Sequence, residues 1–411
     1  MPALDAQAIL DGRRPGRHSV GLAVTMAFSV VCLLGGLGFD LFNSGTDVVP
    51  ALLLAFAPVP LLVNGVLWLD RLEPEPARLL WLAFLWGAGV AVALSSVLNT
   101  LGLVLYTLPT FGAERGYYIS AAVGAPLVEE TTKGLVLIGF LWFRRREIDG
   151  ITDGISYAAL VGLGFACVEN VQYYVQGYLD AGASRLLEVF FLRGVVTPLL
   201  HPLFTSMLGI GVAVAAMSRR RLTRVAAPLA GWLGAVVLHG VWNGSTGFGS
   251  TGISIAYGFL LLVLIVLLAL MWLDRRRMIG TIARYLPAYT GTGLVTEGDI
   301  AMLSTMGGRR RARRWADRAG GRQGRAAMTD YQLAATELAL LHWRVEHGIA
   351  APDWPLRRDG LLALMHVARV AFGRGARPSV PPEWIAGSAP PSGFVREEAP
   401  TWLPYGGGRE G

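Results

Sequence analysis

From about Tyr118 to Phe143 the chain is apolar enough, and long enough, to cross a bilayer as a helix. Near the middle of that stretch a single turn carries Glu129, Glu130 and Lys133. At a bilayer centre each such charge costs roughly 2.5–3.5 kcal/mol, so the three together rival the net stability of a whole domain. A fold that keeps them must turn them away from lipid. At about 100° per residue the three side chains fall within an arc of about 100°, so one helix face can hold them all. Lys133 follows the two carboxylates by three and four residues, within reach of both. It is also the only lysine: every other one of the 36 basic residues is arginine. That usage points to a requirement for an ammonium at this position. The alternative is a structural ion pair joining two helices.

The rest of the chain reads as a membrane protein. Its 411 residues are 53% apolar with a mean hydropathy of +0.47, outside the range of soluble globular domains. Cys32 and Cys167 both lie in apolar segments, which excludes a disulfide framework or a zinc ribbon. Eight apolar segments can be drawn, roughly 19–39, 49–69, 79–105, 118–142, 152–175, 194–217, 226–246 and 252–273. The first is too long for a signal peptide and is expected to be retained. Arginines mark alternate connections. Arg13, Arg14 and Arg17 precede the first segment, Arg71 and Arg78 follow the second, and Arg144 to Arg146 follow the fourth. Arg219, Arg220, Arg221 and Arg224 follow the sixth, and Arg275 to Arg277 the last; the other loops hold only Arg115, Arg185 and Arg193. The positive-inside rule then predicts an all-α, polytopic protein of about eight transmembrane helices in the plasma membrane, with both termini cytoplasmic. The sixth segment is irregular, because Pro198 and Pro202 interrupt a run too long for one perpendicular helix.

This divides the chain into a cytoplasmic N-terminal segment (1–17), a transmembrane domain (18–273), a helical cytoplasmic tail (274–376) and a disordered end (377–411). In the tail, a basic run from Arg309 to Arg325 suits anionic headgroups better than nucleic acid, and no nucleic-acid partner is expected. Thr329 to Gln332 has the spacing of a capping box and predicts a helix from there to about His347, stopped by Gly348. A second helix, about 355–373, completes a hairpin. His342, His347 and His366 lie there without ligand spacing.

Further costly groups lie inside the spans. The fifth carries Phe165 and, one turn on, Glu169 and Asn170; the sixth carries His201 with Thr205 one turn later; the seventh ends on His239 and Asn243, four apart and so on one face. At ~1.5 Å rise per residue these groups and the two glutamates share a level within ~10 Å of depth, between the midplane and the outer third. Scattered structural polars would not share a level on alternately directed helices, which argues for one site. Carboxylates, imidazoles and a carboxamide with no paired Ser or Cys suit an activated water rather than a covalent nucleophile. One glutamate would serve as general base, with histidines or Asn243 steadying an oxyanion. The cofactor is left open: His201, His239 and Glu169 would suffice to hold one divalent metal such as zinc, although no HExxH is present. Intramembrane Glu and His are equally natural in a proton-coupled transporter, but the halves show no convincing repeat. A non-catalytic scaffold holding partner helices is the third reading.

Together, Glu-Glu-x-x-Lys at 129–133, Phe-x-x-x-Glu-Asn at 165–170, His201 in the next span and His-x-x-x-Asn at 239–243 resemble the PrsW family of intramembrane proteases. That family is distantly similar to the type II CAAX prenyl proteases and to the scaffold subunit of gamma-secretase. The resemblance covers about residues 50–273. It implies a protease-like transmembrane domain, endoproteolysis of membrane-anchored proteins such as anti-sigma factors, and a metal-dependent mechanism. Glu129, Glu130, Glu169, His201 and His239 match the family's catalytic positions, with Lys133, Asn170 and Asn243 as supporters. The tail lies outside the family's core.

Overall fold

Apolar runs of this length leave the backbone few ways to satisfy its own polar groups, and every regular element among the described residues is helical. The structure, a computed structural model, describes residues 20–45, 48–72 and 74–374. The expected N-terminal segment 1–17 and the end 377–411 lie outside the described residues. Helix α1 spans Val20–Ser44, α2 Val48–Leu69 and α3 Ala77–Phe111, each long and apolar enough to cross a membrane. Next comes α4 (Ala125–Phe143), set apart by its three charges. Two further stretches pass the same test, Ile151–Ala216 with 66 residues and Arg221–Thr292 with 72. The first contains α5 (Ile151–Phe190) and α6 (Leu200–Ala216), the second α7 (Arg221–Ser245) and α8 (Gly249–Tyr285). The chain forms two compact units that divide after Asp274.

In the first unit α5 is the central helix. Every residue from Thr152 to Val168 is buried, as expected of a helix enclosed on all sides. The most apolar window of the Ile151–Ala216 stretch is 72% buried, against 6% for α1 and 17% for Arg221–Thr292, so the latter two present their apolar surface outward. Small residues let the neighbours of α5 come close. Gly154 abuts Gly209 of α6, and a methyl group on Gly162 would fall 2.6 Å from the Pro202 nitrogen and 2.7 Å from the His201 carbonyl oxygen. Asp153 accepts hydrogen bonds from Asp149 N (2.8 Å) and Gly150 N (2.7 Å) at the start of α5. Asp274 accepts from the backbone and the hydroxyl of Thr152, each at 3.0 Å.

Glycine and proline set the breaks. Helix α5 bends at Ala181–Gly182, runs into a wide π turn over Phe191–Val196 and stops at Pro198, where Thr197 N reaches back five residues to Leu192 O at 2.8 Å. Helix α6 then starts at Leu200, so the expected irregularity of the sixth segment delivers His201 to the first turn of a new helix. Another π turn, Ser120–Gly124, lies next to Pro126 just ahead of Glu129.

The second unit has its own core, which includes Leu303, Met328, Tyr331, Leu338, Leu361 and Met365. It contains α9 (Glu297–Leu303), α10 (Met306–Glu346) and α11 (Trp354–Arg374). The expectation that a helix opens at Thr329 is corrected. Helix α10 opens at Thr305, whose hydroxyl accepts from Gly308 N at 3.0 Å, while the Thr329 hydroxyl bonds back to Arg325 O inside the helix. The residues between Arg322 and Met328 are mostly strong helix formers, so nothing there frees the backbone for a cap. The break comes earlier, at Gly320–Gly321, where Gly321 takes φ +60°.

Two outcomes follow from this packing. Gly162→Ala should lower the melting temperature in detergent, since overpacking costs about 1–3 kcal/mol, whereas Gly139→Ala, with nothing near its Cβ, should leave it unchanged or raise it. In the second unit, burial pushes His342 down to about 4 from its ordinary 6.5, and its Nε2 lies 2.6 Å from the Tyr289 hydroxyl. The unfolded state therefore binds the extra proton first, so stability should be full above pH 6.5 and fall steadily towards pH 4. Proteolysis of α10 across that range, faster at each lower pH with a protease whose own rate is corrected for, checks the sign.

Candidate active site

Lys133 is fully buried, and the arrangement around it starts from that fact. Its Nζ donates to Glu130 Oε1 at 2.8 Å, to Glu129 Oε2 at 3.4 Å and to His201 Nδ1 at 2.9 Å. It also lies 3.8 Å from the centroid of the Phe165 ring. An ammonium has three protons, and the three acceptors use them. Since His201 Nδ1 accepts, its Nε2 carries the proton and donates to Glu169 Oε2 at 2.9 Å.

Glu130 is saturated. Besides Lys133 it accepts from His239 Nδ1 at 3.0 Å and, on its other oxygen, from Thr205 Oγ1 at 2.9 Å. Glu129, one residue earlier, is held loosely: Asn99 Nδ2 and Lys133 Nζ each stand at 3.4 Å, and His239 Nε2 at 4.0 Å. Because His239 Nδ1 donates to Glu130, Nε2 is an acceptor facing another acceptor. The two histidine rings meet edge to face at 5.1 Å, and Phe204 stacks on His239 at 4.8 Å. Helix α3 fixes the rotation of α4 from the far side, with Trp86 Nε1 donating to Thr132 O at 3.0 Å and Ser95 bonded to Thr132 at 2.7 Å.

At the edge, Arg193 leaves the π turn and pairs inward, its guanidinium on Glu169 Oε2 and, through Nε at 2.7 Å, on Asn170 Oδ1. It stacks 3.8 Å over Tyr173.

The structure thus brings Glu129, Glu130, Lys133, Glu169, His201 and His239 into one network, with Asn170 joined to it through Arg193. Asn243 stands apart, its amide donating to Ala121 O at 2.9 Å and tying α7 to the π turn before α4. The metal set also differs from the sequence expectation. Ligand atoms of Glu129, His201 and His239 lie within 4.8 Å of one another, and Glu129 takes the place expected of Glu169, whose carboxylate is occupied by Arg193 and His201. One carboxylate and two imidazoles fit a divalent ion in type and spacing, and Glu130 already orients His239 as a carboxylate behind a ligating histidine does. His201 would have to release Lys133 or Glu169 to join. Sequence reasoning did not reach Asn99, Ser95 or Trp86, which are ordinary residues for an apolar helix and gain a role only from the packing of α3 on α4.

Residues 75–271 match the family described as PrsW family intramembrane metalloprotease. Among curated relatives, Protease PrsW of Clostridioides difficile (strain 630) is 28% identical over 227 residues, 54% of this chain and 87% of its own length. Protease PrsW of Oceanobacillus iheyensis is 27% identical over 189 residues, 46% of this chain and 78% of its own. That of Geobacillus kaustophilus is 29% identical over 177 residues, covering 42% and 69%. No solved structure matches significantly. Segment 75–271, which holds the whole buried network, is thus the part of the chain that is similar to the PrsW family of membrane proteases.

Proposed function

We propose that this chain is an intramembrane endopeptidase that hydrolyses peptide bonds of membrane-anchored proteins with a water activated by Glu129. The observation that carries the reading is the pair of acceptors, Glu129 Oε2 and His239 Nε2, facing each other 4.0 Å apart. A gap of that width lets one water donate to both at about 2.8 Å. Its two protons then point into protein and its lone pair is left for a substrate carbonyl. Glu129 is the base, because its present bonds are long and one proton can be accepted without breaking a tight contact. Glu130 is the positioning carboxylate: it sets the tautomer of His239 and anchors Lys133. Arg193 holds Glu169 on His201.

A divalent ion such as zinc, held by Glu129, His201 and His239, would supply Lewis acidity toward water and the scissile carbonyl. With such an ion bound, Glu129 would act as a ligand and His201 would release Lys133 or Glu169, while Glu130 would still orient His239.

In this reading the chain crosses the plasma membrane eight times with both ends cytoplasmic. A helical stretch of 66 residues is ~100 Å long, far more than one ~30 Å crossing needs, so Ile151–Ala216 and Arg221–Thr292 each cross more than once. The arginines of alternate loops support the orientation. The substrates are membrane-anchored proteins, with anti-sigma factors the class that the family resemblance suggests.

Glu129→Gln should reduce cleavage of a tagged single-span substrate by about 10²–10⁴-fold while expression and melting temperature stay unchanged. Glu130→Gln should lower activity and melting temperature together, because breaking a buried pair costs about 3–5 kcal/mol. Cleavage that survives Glu129→Gln removes it as the base. Lys133→Arg should abolish cleavage, since a guanidinium is a larger, planar fork in a space filled by three acceptors and a ring. Full activity there would mean that any cation suffices.

A further inference from the structure

The second unit lies beyond the matched segment, and its charges are sorted in an unusual way. Over most of the unit arginine meets carboxylate: Arg284 with Glu346 at 2.5 Å, Arg358 with Asp359 at 2.8 Å, Arg369 with Asp299 at 2.7 Å, and Arg357 with Glu337. Arg309 is buried and structural, donating to Leu303 O and to Thr336. The bend of α10 is different. Arg310, Arg311, Arg314, Arg318, Arg322 and Arg325 are all exposed and have no carboxylate partner among the described residues. Asp317 is the only acid between Arg309 and Arg325.

The bend concentrates this charge. At Gly320–Gly321 the helix doubles back, and Gly324 comes so close to the Ala316 backbone that a Cβ there would clash with its carbonyl oxygen. Arg322 and Arg325 of the second limb are thereby brought beside the first limb and its arginines. Burial, with repulsion from Arg325 and Arg310, pulls Arg313 below its ordinary value. Seven guanidinium groups held on one folded hairpin repel, and an anionic surface offsets that repulsion.

We infer that this arginine edge docks on the phosphate headgroups of an anionic phospholipid surface. Two observations favour lipid over nucleic acid. The only aromatic residue of the bend, Trp315, turns towards the core against Phe372, so no ring is offered for base stacking. The unit is also joined directly to a chain that carries membrane-crossing helices, which keeps it at high effective concentration beside headgroups.

The test uses the full-length chain in nanodiscs of phosphatidylcholine alone and of phosphatidylcholine with phosphatidylglycerol, read by amide hydrogen exchange of peptides covering 306–325. Exchange should be about tenfold slower with phosphatidylglycerol and return to the phosphatidylcholine value in about 0.5 M salt. The combined variant Arg310→Gln, Arg314→Gln, Arg318→Gln and Arg322→Gln should lose the lipid effect while core peptides over 331–341 exchange as before. Equal exchange in the two lipids overturns the proposal. If the variant loosens the core peptides, the salt titration of the unmodified chain decides: protection insensitive to salt overturns the proposal as well. A short DNA duplex that slows the same peptides in phosphatidylcholine discs, with phosphatidylglycerol silent, reassigns the edge to nucleic acid.

Discussion

A single buried ammonium organises the transmembrane unit. An unpaired charge in this environment would cost several kcal/mol even after relaxation, and Lys133 avoids that cost only because three acceptors and an aromatic face surround it. Two of those acceptors come from its own helix, through spacings of three and four residues. The third, His201, comes from α6 and reaches Lys133 only because the chain breaks at Pro198 and because Gly162 lets α5 lie against the His201 backbone. His201 in turn fixes Glu169, and Glu130 fixes His239. Each bond constrains the next, so the rotation of four helices is set by one cation.

How much of this could be read in the sequence follows from the length scale of each signal. Charges in an apolar run, and His or Glu recurring at one depth on successive spans, are visible because their cost in lipid does not depend on packing detail. Their partners are another matter. Ser95 and Asn99 are chosen by helix rotation, and each π turn adds a residue that turns the following helix by about 100°, which spacing rules cannot anticipate. Spacing therefore does not show that Glu129, rather than Glu169, groups with both histidines, or that Asn243 serves the backbone of Ala121 although it shares a face with His239. In the tail the same limit appears at Thr329. Its spacing matched a helix start, but a cap forms only where the preceding backbone leaves the helix.

Adjacent glutamates on one helix end up chemically unlike. Glu130 accepts three short hydrogen bonds, from Lys133, His239 and Thr205, and moving it would unmake the centre of the network. Glu129 keeps every neighbour at 3.4 Å or more and faces a histidine nitrogen that offers no proton. Two facing acceptors in a buried site are unfavourable until something with positive character enters between them. Water, presenting two protons, and a divalent cation both meet that need. In the proposed mechanism the chemistry lies in this incompletely satisfied pair, and the saturated bonds around it keep the pair from closing.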